Sequence, residues 1–179
     1  MKRSKGEQVV NIINRLIDWM ITYDCGDTKR IQHLIKVHAL CKYIGELEGI
    51  DAGTLGTLEM AAILHDIGIK ESETQFGNCN GSNQERLGPP IAMTLFDELA
   101  EEGYVISQTT IDRICYLIAH HHTYDNIDGL DYRILVEADF LVNMWENKYA
   151  PEAIHGAYEN IFVTHTGRSI CRRMFGLED

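Results

Sequence analysis

The chain has 179 residues, and its 16 Lys and Arg against 27 Asp and Glu give a formal charge of −11. One core of this size can remove roughly 70% of the unfolded chain's surface from water, so a single domain, 1–179, is expected to fold without disulfides or a structural metal. With 45% hydrophobic and 24% charged residues, the composition excludes a disordered, collagen-like or membrane-spanning protein, and the acidic balance argues against a nucleic-acid duplex as partner.

Basic residues gather only at Met1-Lys2-Arg3-Ser4-Lys5 and Arg172-Arg173. The charged start runs into Gly6-Glu7-Gln8 rather than an apolar stretch, so no signal peptide is read there. Cys25, Cys41, Cys79, Cys115 and Cys171 are odd in number and contain no C-x-x-C pair, which argues against a disulfide framework and a thiolate zinc site. A reducing cytoplasm, with no membrane partner, is the expected setting.

Apolar residues recur at helical spacing almost throughout, which predicts an all-α fold of seven or eight helices. The first covers about Gln8 to Tyr23, with Val9, Ile12, Ile13, Leu16, Ile17 and Met20 as its stripe. A second, capped by Asp27 or Thr28, runs to Glu48 and stops at Gly49. A third runs from about Thr54 to Asp66 and closes at Gly68. The polar stretch Lys70 to Gly88 reads as a long functional loop, and Pro89-Pro90 as the start of a fourth helix ending near Glu102. Thr109 to Asp112 reads as a capping box for a fifth, which leads into His120-His121-His122. A sixth spans about Tyr132 to Glu146, and two short segments follow, one after Pro151 and one from Gly167 to Phe175. The part that carries chemistry is thus about 27–146, with the C-terminal helices over 151–176.

Several predicted helices place a polar residue on the apolar face, which is where an uncompensated charge is costly. His33 lines up with Val37, Cys41 and Ile44, and His65 with Leu58 and Ala62. Asp66 follows at the helix end, where the turn into Gly68 can aim its carboxylate where His65 points. Asp139 shares a face with Leu135 and Val136, and no Lys or Arg lies one turn away. Two imidazoles and two carboxylates suit a divalent ion such as Mn²⁺, Fe²⁺, Co²⁺, Ni²⁺ or Mg²⁺, with zinc less favoured but not excluded.

The order His33, then Leu64-His65-Asp66-Ile67-Gly68, then Ala138-Asp139 resembles the H…HD…D signature of the HD superfamily of metal-dependent phosphohydrolases, over about Asp27 to Trp145. The resemblance implies an all-helical HD domain whose metal is held by His33, His65, Asp66 and Asp139. Some HD proteins hold two metals with further histidines. Here Gln84 stands where the first of these is expected, four residues before Gly88, with Glu85 beside it. His120-His121-His122 resembles the His-His segment of the two-metal members. Alignment with that pattern selects His120 and His121, whereas helical phase selects His121 and His122. Their intersection, His121, is the expected second-metal ligand, proton donor or substrate contact. His38, His155 and His165 are read as structural.

The expected activity is hydrolysis of a phosphate ester, a nucleotide or similar small phosphorylated molecule, by metal-activated water. Asp66 would ligate through one oxygen and accept a proton through the other. Lys70 is the first candidate for the phosphate contact, with Arg86, Arg30 and Arg133 after it. One alternative is an HD-type di-iron oxygenase, against which the loss of a ligand at Gln84 counts. Another is a metal-binding regulatory module without turnover, although both carboxylates and both primary histidines are present.

Overall fold

The computed structural model describes residues 5–178, with side chains from residue 12 onward. The basic run at the start and Val9 of the first stripe lie outside the described side chains. Among the described residues all regular structure is helical. The helices are α1 (Lys5–Tyr23), α2 (Thr28–Leu47), α3 (Ala52–Leu64), α4 (Ile69–Phe76), α5 (Gly81–Glu101), α6 (Gln108–Ile118), α7 (Leu130–Glu146), α8 (Pro151–Asn160) and α9 (His165–Phe175). None among the described residues is long and apolar enough to cross a membrane.

The centre of the fold is α3. Every residue from Gly56 to Leu64 is buried, and a helix that is apolar all round is stable only when other helices surround it. It packs against α1, α2, α6 and α7. Asp51 starts it by accepting the amides of Gly53 and Thr54 at 2.9 and 3.1 Å. The helix ends one residue before His65, and the chain turns through Asp66 and Ile67 into α4, with the Ile67 amide on the Leu64 carbonyl at 3.0 Å. Alongside, α2 is capped by Asp27 and buries His33, Leu34, Val37, Cys41 and Ile44 on one stripe. At its end Gly49 takes φ +73°, the left-handed stop expected there.

Between residues 70 and 88 the structure corrects the expected loop. Most of that segment is helical: α4 runs to Phe76, Gly77 closes it at φ +68°, and Asn80 starts α5 by accepting the Ser82 amide at 3.0 Å. Pro89 and Pro90 lie inside α5 rather than at its start. An interior proline removes a helical hydrogen bond and costs about 3 kcal/mol, so local pattern alone puts a boundary there, and tertiary packing overrides it. A Cβ on Gly68 would come within 2.5 Å of the Gln84 carbonyl oxygen, and one on Gly88 within 2.5 Å of Ile118 Cγ2. Two glycines thus let α5 press against the turn after α3 and against α6.

Two smaller differences have similar causes. The N-cap of α6 is Ser107, which accepts the Thr110 amide, while Asp112 instead accepts from the Gln108 side chain at 2.8 Å. The segment leading into α9 docks through two carboxylates. Glu137, fully buried, accepts the amides of Val163 and Thr164 and the Thr164 hydroxyl, and Glu48 accepts the Thr166 amide at 2.7 Å.

Gly68→Ala should destabilise the protein by about 1–3 kcal/mol, because its neighbour is backbone and cannot rotate away. Gly156→Ala, with nothing within 4 Å of the added Cβ, should be neutral or stabilise by up to about 1 kcal/mol. Urea denaturation of both variants checks this, and similar midpoints would refute the close-approach argument.

Candidate metal centre

Four residues from three elements converge on one buried point. His33 comes from the stripe of α2, His65 and Asp66 from the turn that ends α3, and Asp139 from the middle of α7. His33 Nε2 lies 3.3 Å from His65 Nε2, 3.1 Å from Asp139 Oδ1 and 3.5 Å from Asp66 Oδ2. His65 Nε2 is 3.5 Å from the same oxygen of Asp66 and 3.5 Å from Asp139 Oδ1. His33, His65 and Asp139 are at most 6% exposed.

The opposite nitrogens of the imidazoles fix their roles. His65 Nδ1–H donates to the Ala62 carbonyl at 2.8 Å, which leaves the Nε2 lone pair aimed at the cluster. His33 Nδ1–H donates to Glu146 Oε2 at 3.1 Å, and Glu146 in turn holds Lys36 Nζ at 2.5 Å. A carboxylate behind a histidine in this way orients the ring and makes it a better ligand. Asn143 donates to Asp139 Oδ1 at 2.8 Å and steadies that carboxylate.

Asp66 faces two ways. Its Oδ1 lies 3.3 Å from Nε2 of His121, whose Nδ1–H is committed to the Ile118 carbonyl at 2.8 Å. That contact is out of hydrogen-bonding alignment, so His121 Nε2 is a fully enclosed nitrogen with no hydrogen-bond partner among the described residues. His122 completes a second group with Asp66 and His121.

The charges in this pocket are mutually dependent. Burial opposes the charged form of His65, but Asp66 and Asp139 outweigh it and push the imidazole up to about 9. His33 is raised too, burial again being outweighed, chiefly by Asp139. Both aspartates are held well below the usual carboxylate range, because the facing histidines overcome the burial that would raise them. His122 goes the other way. Burial, then the neighbouring His121, lowers it to about 4, so it is a neutral ring at physiological pH.

This donor set fits a divalent cation. Donors 3.1 to 3.5 Å apart have the spacing of neighbouring ligands around one ion with bonds of about 2.1 Å. Imidazole and carboxylate together suit first-row divalent ions, and an enclosed nitrogen without a partner points to a ligand beside Asp66.

The other expected site residues are placed as follows. His120 turns away from the cluster, its Nδ1 on the Tyr116 carbonyl at 2.7 Å and its ring stacked on Tyr116, so the pair facing Asp66 is His121 and His122, as helical phase selects. Gln84 is buried and donates to the Cys79 carbonyl at 2.6 Å, while its Oε1 accepts from His122 Nε2 at 3.0 Å. Glu85 accepts the His122 amide and the Thr123 hydroxyl at 3.0 and 3.1 Å. Both residues therefore hold the histidine turn in place. Lys70 does not join the cluster, since its Nζ donates to the Tyr23 carbonyl at 2.5 Å and sits over the Tyr23 ring. Arg30 is held by Asp24, Asp27 and Glu73, Arg86 lies over Phe76, and Arg133 donates to the Ile161 carbonyl. His155 and His165 are exposed, and His38 pairs with Glu59 at 3.0 Å. Sequence reasoning missed Asn143 and Glu146, although they follow Asp139 at helical steps of four and seven on the same stripe.

The family model of the HD domain matches residues 30–154. The chain belongs to the HD-domain family. The match takes in every residue of both groups, His33, His65 and Asp139 in one and Asp66, His121 and His122 in the other. Among solved structures, this HD protein is similar to a predicted HD superfamily hydrolase from an uncultured Thermotogales bacterium. The two share 22% identity over 95% of this chain and 84% of the other, with a TM-score of 0.59. A comparison with curated proteins finds no match.

The protonated histidines of metal-free protein yield a pH signature. A raised histidine stabilises fully below its unfolded value of 6.5 and loses that contribution as pH rises through about 9. The lowered aspartates contribute above their unfolded 3.8 and lose it only in strong acid. EDTA-treated protein should therefore lose Tm between pH 6.5 and 9, while the Tm gain from added Mn²⁺ should grow over the same interval, because the ion displaces those protons. Thermal scans with and without Mn²⁺ check this, and a pH-independent gain would contradict it.

Proposed function

We propose that the protein is a metal-dependent hydrolase acting on a phosphate ester, a nucleotide or similar small phosphorylated molecule. HD-domain membership and the His/Asp cluster support the metal-dependent hydrolase. The phosphate ester is the substrate class that suits two carboxylates, a cation and a buried base. The observation that carries the reading is the pair Asp66 and His121. Asp66 offers one oxygen to His33 and His65, and the other lies beside an enclosed nitrogen without a partner.

A bound divalent ion supplies Lewis acidity toward a phosphoryl oxygen and lowers the pKa of water into the neutral range. The chain's own residues do the rest. His33 and His65 present Nε2 lone pairs fixed by Glu146 and the Ala62 carbonyl. Asp66 accepts the proton of the attacking water at Oδ1 as the new P–O bond forms. His121, held by the Ile118 carbonyl, shares that proton at Nε2 and returns it to the leaving oxygen as the old P–O bond breaks. The candidate ions are Mn²⁺, Fe²⁺, Co²⁺, Ni²⁺ or Mg²⁺, with zinc the less favoured choice for a mixed imidazole and carboxylate set.

A second reading, a di-iron oxygenase, is favoured by one observation. His122 stands with Asp66 and His121 and supplies the third donor whose place Gln84 was expected to leave empty.

Protein loaded with Mn²⁺ should release phosphate slowly from a panel of phosphate esters. Asp66→Asn should abolish release, because the amide keeps the shape but lacks the charge and the basic oxygen, and His121→Ala should lower it by roughly 10²-fold or more. Two irons per chain with O₂ consumption and no phosphate release would instead establish the oxygenase.

A further inference from the structure

The phosphate carries negative charge into an acidic pocket, yet the cations nearest in sequence to the motifs are committed elsewhere. Arg30 faces three carboxylates, Lys36 is bound to Glu146, and Lys70 is bound to the Tyr23 carbonyl. With these three cations engaged, a neutral donor at the edge of the pocket is a further means open to the chain for holding a phosphoryl oxygen.

Tyr124 meets the requirements. It lies two residues past His122, in the segment between α6 and α7 that Gln84 and Glu85 hold from below. Its ring packs edge-on against Phe140, with centroids 5.2 Å apart at 68°, and Phe140 directly follows Asp139. The ring is thus anchored on α7 beside Asp139, near enough for that carboxylate's charge to act on the phenol, while the residue stays 42% exposed. Its hydroxyl has no hydrogen-bond partner among the described residues, unlike that of Tyr132, which is bound to two carbonyls of the same segment.

We propose that the Tyr124 hydroxyl donates a hydrogen bond to a phosphoryl oxygen of the substrate, as the chain's own neutral contact beside the metal centre. This rests on the phosphohydrolase reading above. Burial, then the charges of Asp139 and Glu85 and the nearby Tyr149, pushes the phenol up to about 12, so it remains a donor across the working pH range. A neutral donor also suits a pocket whose carboxylates already repel the substrate, because it binds without drawing those carboxylates into ion pairs. The Phe140 contact fixes the ring, so little side-chain entropy is lost when the oxygen arrives.

The test is Tyr124→Phe in the full chain loaded with Mn²⁺, which keeps the ring on Phe140 and removes only the hydroxyl. Calorimetric titration with inorganic phosphate should show a Kd raised roughly ten- to 150-fold, the range of a hydrogen bond to a charged acceptor. Metal content and Tm should match the wild type, and kcat/KM for p-nitrophenyl phosphate should fall by a similar factor. A Kd change under about tenfold, or loss of metal or of Tm in the variant, overturns the proposal. Wild type that binds phosphate more tightly than the variant but hydrolyses no ester would end the phosphohydrolase reading while leaving the Tyr124 contact intact. Wild type that binds no phosphate would end both.

Discussion

Two carboxylates with depressed pKa values and a set of imidazoles occupy one buried point, and each is tolerable only because the others are there. An ionised aspartate removed from water costs several kcal/mol unless its charge is met. Around Asp66 and Asp139 the meeting charges come from His33 and His65, both raised above the ordinary imidazole value, His65 to about 9, when no cation displaces their protons. A divalent ion is the natural replacement for those protons.

The rest of the fold serves that cluster. The central helix α3 is surrounded on all sides, so its end is a fixed point, and the turn after it can present His65 and Asp66 in adjacent directions. Close approach at Gly68 and Gly88 brings α5 against that turn and α6. Gln84 and Glu85 on α5 then steady the histidines that follow α6. On the opposite side α7 contributes one stripe bearing Asp139, Asn143 and Glu146, and its buried Glu137 ties down the segment leading into α9. Distant parts of the chain thereby reach the same few ångströms with little freedom to misplace a donor.

Much of this was legible in the sequence because it follows from helical phase. His33, His65 and Asp139 stand out as polar residues on apolar stripes, and Asp66 as the residue where a glycine turn begins. Phase also reads His122 correctly, whereas alignment to a two-metal pattern points to His120, which stacks on Tyr116 instead. Asn143 and Glu146 were within reach of the same argument, but polar residues late in a helix usually face water, so only the structure reveals the bond from His33. The segment from 70 to 88 was illegible for a different reason. There α4 and the first turns of α5 lack an apolar stripe, α5 contains two prolines, and close packing at Gly68 and Gly88 is a tertiary effect that no local pattern encodes. The place of Lys70, expected to face the substrate, was illegible likewise, since a lysine's partner, here the Tyr23 carbonyl, is set by the fold.

The claim that these side chains are arranged to hold one divalent ion is tested most directly by anomalous diffraction from crystals grown with Mn²⁺. The account predicts a strong manganese peak within about 2.3 Å of His33 Nε2, His65 Nε2 and one oxygen each of Asp66 and Asp139. Crystals that take up manganese elsewhere, with the four donors still in direct contact and no peak among them, would contradict it.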